Sequence, residues 1–140
     1  MKSYKENFTD FVAKIDLILA KNDHICSRHM LNSRELYIRR QQRKYSKLPV
    51  STFQSFSVPT IALKRLFTDE AVCKEVFDWV VNQDGEYPED CWVLVEEMPF
   101  ETGIAITSEN EEIVCHGVGV VLCRSDKNSF GFTVKTVYPV

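Results

Sequence analysis

Phe8, Phe11, Val12, Ile15, Ile18 and Leu19 recur at three- and four-residue intervals, the spacing of one apolar face of an α-helix. Ser3-Tyr4-Lys5-Glu6 ahead of them reads as a capping box. A second helix begins at Asn32 or Ser33, with Glu35 placed to reach back to the first turn, and runs to about Lys44. Pro49 stops it, and the stretch from Pro49 to Pro59 reads as a polar connection dotted with aromatics. Pro59 suits the first turn of a third helix carrying Ile61, Leu63 and Leu66. Thr68-Asp69 caps a fourth, which sets Val72, Val76, Trp79 and Val80 on one face and ends at Gly85 and Pro88.

Beyond Pro88 the period changes. Cys91 to Met98, Thr102 to Thr107, Ile113 to Cys123 and Ser129 to Tyr138 are β-branched, aromatic and often alternating, which predicts strands. Ser108 to Glu111 and Ser125 to Asn128 are turn material. Helices followed by strands is the order of an α+β fold, and short turns predict an antiparallel meander. In the last strand Phe130, Phe132, Val134, Thr136 and Tyr138 should share one mostly apolar face turned toward the helices, with the two hydroxyls at its end.

The 140 residues predict a single domain over 1–140, with 1–22 as an N-terminal helix. A hydrophobic content of 44% excludes a chain disordered by composition. No apolar run approaches the roughly 20 residues of a membrane-spanning helix. Asp10 and Asp16 interrupt the first apolar stretch, so it lacks the organisation of a secretory signal. Export would then depend on another polypeptide or an upstream segment. Five scattered cysteines without a Cys-x-x-Cys pair argue against a disulfide framework or a zinc site and for free thiols. The net charge of −3 conceals a split, because residues 1–70 carry a net +6 and residues 71–140 a net −9. Such a split suggests one side facing a polyanion and an opposite acidic side.

Three groups of residues hold candidate chemistry. His24 and His29 each have an imidazole able to act as a base near neutral pH, although their spacing keeps them off a shared helix face and offers a poor zinc site. Arg34, Arg39, Arg40, Arg43 and Lys44 make a basic helix suited to phosphate oxygens, followed by the hydroxyls of Ser51 and Thr52. Thr136 and Tyr138, at i and i+2 of a strand, project side by side. A hydroxyl pair, an imidazole and a guanidinium are the groups needed to cleave RNA without a metal.

The order of these motifs resembles a known family, the bacterial ribonuclease A-like toxin domains found at the C-termini of contact-dependent growth inhibition and other polymorphic toxins. The resemblance is carried by His24-Ile25-Cys26-Ser27-Arg28-His29, the helix from Asn32 to Arg40, Ser51-Thr52-Phe53 with Thr60-Ile61-Ala62, and Val76-Phe77-Asp78-Trp79. It finishes with Val120-Val121-Leu122-Cys123-Arg124 and Thr136-Val137-Tyr138-Pro139, and spans roughly residues 23–140. It implies N-terminal helices packed on a curved antiparallel sheet, a ribonuclease A-like fold without that enzyme's disulfides. The catalytic residues it implies are His29, either Arg39 or Arg40, Thr136 and Tyr138, with His24 as an additional candidate. Arg34, Arg43, Lys44, Ser51 and Thr52 would touch RNA. The expected reaction is transesterification through the 2′-OH to a 2′,3′-cyclic phosphate, with no metal or other cofactor and no cleavage of DNA. The implied partners are an RNA substrate, tRNA being one candidate, and a cognate immunity protein. The implied setting is delivery as part of a larger toxin and action in the target-cell cytoplasm. A reading from another class stays open: an acidic immunity protein that binds and blocks a toxin nuclease.

Overall fold

A computed structural model describes residues 4–82 and 90–140, apart from the side chains of Asp23, His24 and Ser27. The expected roles of Ser3 as a cap and of Gly85 and Pro88 as a helix stop lie outside the described residues. The helices are α1 (Tyr4–Ala20), α2 (Asp23–Arg28), α3 (Ser33–Gln42), α4 (Ser57–Leu66) and α5 (Glu70–Val81). The strands are β1 (Val50–Phe53), β2 (Cys91–Glu97), β3 (Gly103–Ile106), β4 (Glu112–Cys115), β5 (Gly117–Arg124) and β6 (Phe132–Pro139). The fold is α+β, with two antiparallel three-stranded sheets in the orders β1-β3-β4 and β2-β5-β6.

The apolar stripe of α1 buries Phe8, Phe11, Ile15 and Leu19, each contributing on the order of 1.5–3 kcal/mol by leaving water. It meets Ala62, Leu63 and Leu66 of α4, Val76 and Trp79 of α5, and Val118, Val120, Leu122, Phe132 and Val137 of the β2-β5-β6 sheet in one core. Phe8, Phe11, Phe67 and Phe132 pack ring on ring at its centre. Capping fixes where the later helices start. Asn32 accepts from the Glu35 backbone while Glu35 accepts from the Asn32 backbone, so α3 opens with the expected capping box. Asp69 accepts from the Ala71 and Val72 backbone to open α5. Under α3, Leu36, Val50 and Ile106 form a smaller second core against the other sheet.

The structure departs from the sequence expectation at four points. A short helix that was not expected, α2, precedes the one starting at Ser33. The Pro49–Pro59 connection contains a strand, β1, with all four residues buried. The strand expected over 113–123 is divided at His116, so β4 belongs to one sheet and β5 to the other. The sheets are therefore not a meander: β2 pairs with β5 and β3 with β4 and β1. Finally, β6 does not alternate evenly. Val121 faces Thr136 but the next residue, Leu122, faces Val134, leaving Lys135 as a bulge. An extra residue moves the rest of the strand to the other face. Val134 and Val137 thus both enter the core, and Thr136 and Tyr138 turn away from it with Val121 and Gly119 opposite them.

Candidate active site

The two sheets approach each other at β1 and β6, and α2 packs against β6 beside that junction. Asn22 fixes α2 at both ends of its own side chain. Its Oδ1 accepts the Ile25 N–H as the helix cap at 2.9 Å, and its Nδ2 donates to the carbonyls of Val134 at 2.8 Å and Lys135 at 3.3 Å. The helix is thereby tied to the bulge that reorients Thr136 and Tyr138.

His29 closes α2, its N–H donating to the Ile25 carbonyl. Its own carbonyl accepts the Phe53 N–H of β1 at 2.8 Å. The Thr52 hydroxyl accepts the Leu31 N–H at 2.7 Å and lies 3.0 Å from the Leu31 carbonyl and 3.2 Å from that of His29. The segment carrying His29 is thus laced to β1 by main-chain and hydroxyl bonds. The imidazole Nδ1 is 3.3 Å from the Ser51 carbonyl. A carbonyl only accepts, so this contact places the proton on Nδ1 and, in the neutral ring, the lone pair on Nε2.

The ring lies close to β6. The ring centroids of His29 and Tyr138 are 6.0 Å apart and inclined by 39°. Tyr138 lies flat across Gly119, where any Cβ would collide with the ring and with the phenol oxygen. Thr136 neighbours Tyr138 on the same face. Its hydroxyl oxygen is shielded from solvent and makes no hydrogen bond among the described residues. An unmade bond of that kind costs about 1–3 kcal/mol, a cost that a bound ligand oxygen can remove.

His29 also lines a recess of about 80 Å³, together with Arg28, Arg39, Arg43 and the chain from Pro49 to Ser51. Partial burial, followed by the like charges of Arg28 and Arg43, holds the Arg39 guanidinium below its ordinary pKa. Among the described residues these three arginines form no ion pair with a carboxylate. Two larger recesses, of about 440 and 480 Å³, contain none of the candidate residues.

The structure separates the two arginine candidates. Arg40 is 1% exposed, and its guanidinium donates to the carbonyls of Leu48 (2.9 Å), Ser46 (3.1 Å), Ile106 (3.4 Å) and Arg43. It closes the loop after α3 and has no face left for a substrate. Arg39 lines the recess beside His29. Thr52 is likewise occupied within the fold, and Ser51 contributes its carbonyl to His29. Arg34 and Lys44 are exposed on α3 and just beyond it, away from the recess lining. The side chain of His24 lies outside the described residues. Arg28 and Asn22 belong to the site but had not been singled out for it. Arg28 immediately precedes His29, a signal available in the sequence, whereas the reach of Asn22 to β6 spans 112 residues and has none.

No protein-family model matches the chain, and no curated protein sequence is similar to it. A solved structure with a similar fold is a chain of the CdiA-CT/CdiI complex from Y. kristensenii. The superposition has a TM-score of 0.66, covers 84% of this chain and 98% of that one, and aligns residues that are 12% identical. At that identity the likeness is one of fold.

Proposed function

We propose that this protein is a ribonuclease toxin of bacterial competition, cleaving RNA by transesterification without a metal. One observation carries the reading: His29 both lines an arginine-lined recess and has its ring 6.0 Å from that of Tyr138, on the strand face that also bears Thr136. The fold shared with a chain of a CdiA-CT/CdiI complex supports the setting. In this reading Nε2 of His29 takes the proton of a ribose 2′-OH, whose oxygen attacks the adjacent phosphorus. Arg39 stabilises the charge that grows on the non-bridging oxygens. Tyr138 assists departure of the 5′-oxygen as a proton or hydrogen-bond donor, and Thr136 donates its otherwise unpartnered hydroxyl to the same group. The products are a 2′,3′-cyclic phosphate and a free 5′-hydroxyl, and DNA is left uncut for lack of the 2′-OH.

The net charge of −3 favours a second reading, an immunity protein that blocks a toxin's basic cleft. The local charge of the site opposes it. The −9 half of the chain reaches the site through β6, whose sequence holds Lys135 and no acid, while the first half supplies three arginines. A basic recess complements RNA or an acidic inhibitor.

The two readings separate in one set of assays. Purified protein should cleave RNA in excess EDTA and release ends bearing a cyclic phosphate. His29→Ala should lower the rate by roughly 10²–10⁴-fold. Expression should arrest growth of the producing cell, and His29→Ala should relieve the arrest. Cleavage abolished by the chelator, or unchanged in His29→Ala, would overturn the mechanism. Harmless expression that protects against another nuclease would favour the immunity reading.

A further inference from the structure

We propose that Arg28 and Arg43 form, with the edge of Arg39, a holding site for the phosphate next to the one cleaved. The substrate is then a strand with a flanking phosphate rather than a bare dinucleotide. The inference rests on the ribonuclease reading for the identity of the ligand, but its physical basis is separate. Three arginines line one small recess, close enough that the charges of Arg28 and Arg43 contribute to the depressed Arg39 pKa. Among the described residues no carboxylate neutralises them. Folding therefore leaves a concentration of positive charge that an anion would relieve, in a volume of about 80 Å³ that admits one small tetrahedral group. Planar guanidinium forks meet pairs of phosphate oxygens. His29 lines this recess and its ring also lies 6.0 Å from that of Tyr138. With the reacting link assigned to His29 and Tyr138, an anion held by the exposed Arg28 and Arg43 belongs to the neighbouring residue of the strand.

The first test involves no cleavage. The full chain is titrated with inorganic phosphate while the arginine Nε–H resonances are followed by NMR, with chloride at equal ionic strength as the control. Saturable shifts at Arg28, Arg39 and Arg43, weakened at least tenfold in the Arg28→Gln/Arg43→Gln double variant, are expected. Linear shifts, shifts matched by chloride, or undiminished binding in the variant would overturn the site. The second test compares kcat/KM on a dinucleoside monophosphate and on a trinucleotide with an added flanking phosphate. The double variant should lose at least tenfold more on the longer substrate than on the shorter. An equal loss on both would remove the flanking assignment. Phosphate binding without any RNA cleavage by the native protein would instead sink the ribonuclease reading and leave the anion site standing.

A different observation carries a second inference: Cys91 and Cys123 are a site of oxidative cross-linking. They are directly opposed on β2 and β5, with Sγ atoms 3.0 Å apart, and both are half-buried free thiols. The adjacent pair, Asp90 and Arg124, is joined by the Arg124 N–H to the Asp90 carbonyl. Hydrogen-bonded and non-hydrogen-bonded pairs alternate in antiparallel sheets, so Cys91 and Cys123 occupy a non-hydrogen-bonded pair, with Cα atoms near 4.5 Å. That spacing lies within the range a disulfide bridges. A low-molecular-weight disulfide supplies the oxidising equivalents. One thiolate displaces a thiol from it to give a mixed disulfide; the second thiolate displaces the other thiol and closes the Cys91–Cys123 bond. Two electrons and two protons pass to the two released thiols, and β2, an edge strand, becomes covalently stapled to β5.

Incubation with oxidised glutathione, followed by alkylation, proteolysis and mass spectrometry, should recover the Cys91–Cys123 linked peptide with the loss of one H₂. Dithiothreitol should reverse it. The oxidised protein should melt several degrees higher than the reduced one, and Cys91→Ser should abolish the difference. Recovery of both cysteines as stable glutathione adducts, or of a different pairing, would overturn the assignment.

Discussion

The guanidinium of Arg40 is surrounded by four main-chain carbonyls, whereas that of Arg39, one residue earlier, is crowded by two other cations. Adjacent helix positions point about 100° apart, so consecutive arginines can serve different ends. Arg40→Gln should lower stability by roughly 3 kcal/mol in urea unfolding, because it leaves buried carbonyls without a donor. Arg39→Gln should leave the unfolding midpoint close to that of the native protein and lower RNA cleavage by about 10²-fold or more. A reversal of that pattern would return the catalytic role to Arg40. The pair was ambiguous in the sequence because the difference depends on the path of residues 43–48, which bring their carbonyls back over α3. A second residue-scale consequence concerns pH. Burial first, then Asp69 and Glu70, push the Cys73 thiol from its ordinary 9.0 up to about 11, and its S–H donates to the Phe67 carbonyl at 3.0 Å. Above pH ~9 the unfolded chain has lost this proton while the folded chain retains it. Stability present below that pH should decline as pH rises toward about 11, by at most roughly 3 kcal/mol. Cys73→Ala should flatten that part of the pH profile, which equilibrium unfolding at a series of alkaline pH values would reveal.

At the scale of elements, β6 joins the main core to the site. Its sequence alternates only as far as Val134; Thr136 is polar where the apolar face would continue and Val137 is apolar where it would not, so reading Thr136 and Tyr138 as a continuation of the apolar face passes over a break in the period. The bulge at Lys135 reverses them, and it is set by pairing with β5 and by Asn22 donating to the carbonyls of Val134 and Lys135. Neither partner is local, so the sequence shows the break in alternation but not the bulge that causes it. The strand β1 was hidden for another reason: four residues between two prolines are too few to establish a period, although Val50, Thr52 and Phe53 are strand formers. By contrast, α1, α3 and α5 were legible because an apolar stripe or a capping side chain acts within one or two turns. Gly119 tests the role of β6. It lies opposite Tyr138, whose ring occupies the space of a side chain there. Gly119→Ala should displace the flexible end of Tyr138 rather than break the sheet. The expected result is an unfolding free energy lowered by about 1–2 kcal/mol and RNA cleavage reduced at least tenfold. Tyr138→Phe should keep the packing and lose the donor, and a rate equal to that of the native protein would remove Tyr138 from the leaving-group step.

For the molecule as a whole, the two halves of opposite charge are not two opposite faces in any simple sense. The helical half carries the cations of the recess, and the acidic half supplies β5 and β6, neither of which contains an Asp or Glu. Among the described residues its acids lie instead on α5, β2, β4 and the turns, and Glu112 of β4 accepts a hydrogen bond from Tyr37 at 2.9 Å. A net charge of −3 is then compatible with a locally basic site, because screening confines each group's influence to about 8–10 Å at physiological salt. This arrangement predicts the salt dependence of RNA binding. For His29→Ala and a single-stranded oligonucleotide, fluorescence anisotropy should give a slope of log K against log salt of about −1.4, since the reacting and flanking phosphates each release about 0.7 counterion. Arg43→Gln should reduce that slope by about 0.7, whereas Glu109→Gln should change it little. A flat profile for the native recess, or an equal change from Glu109→Gln and Arg43→Gln, would mean that overall charge governs association and that the three arginines do not act as a local site.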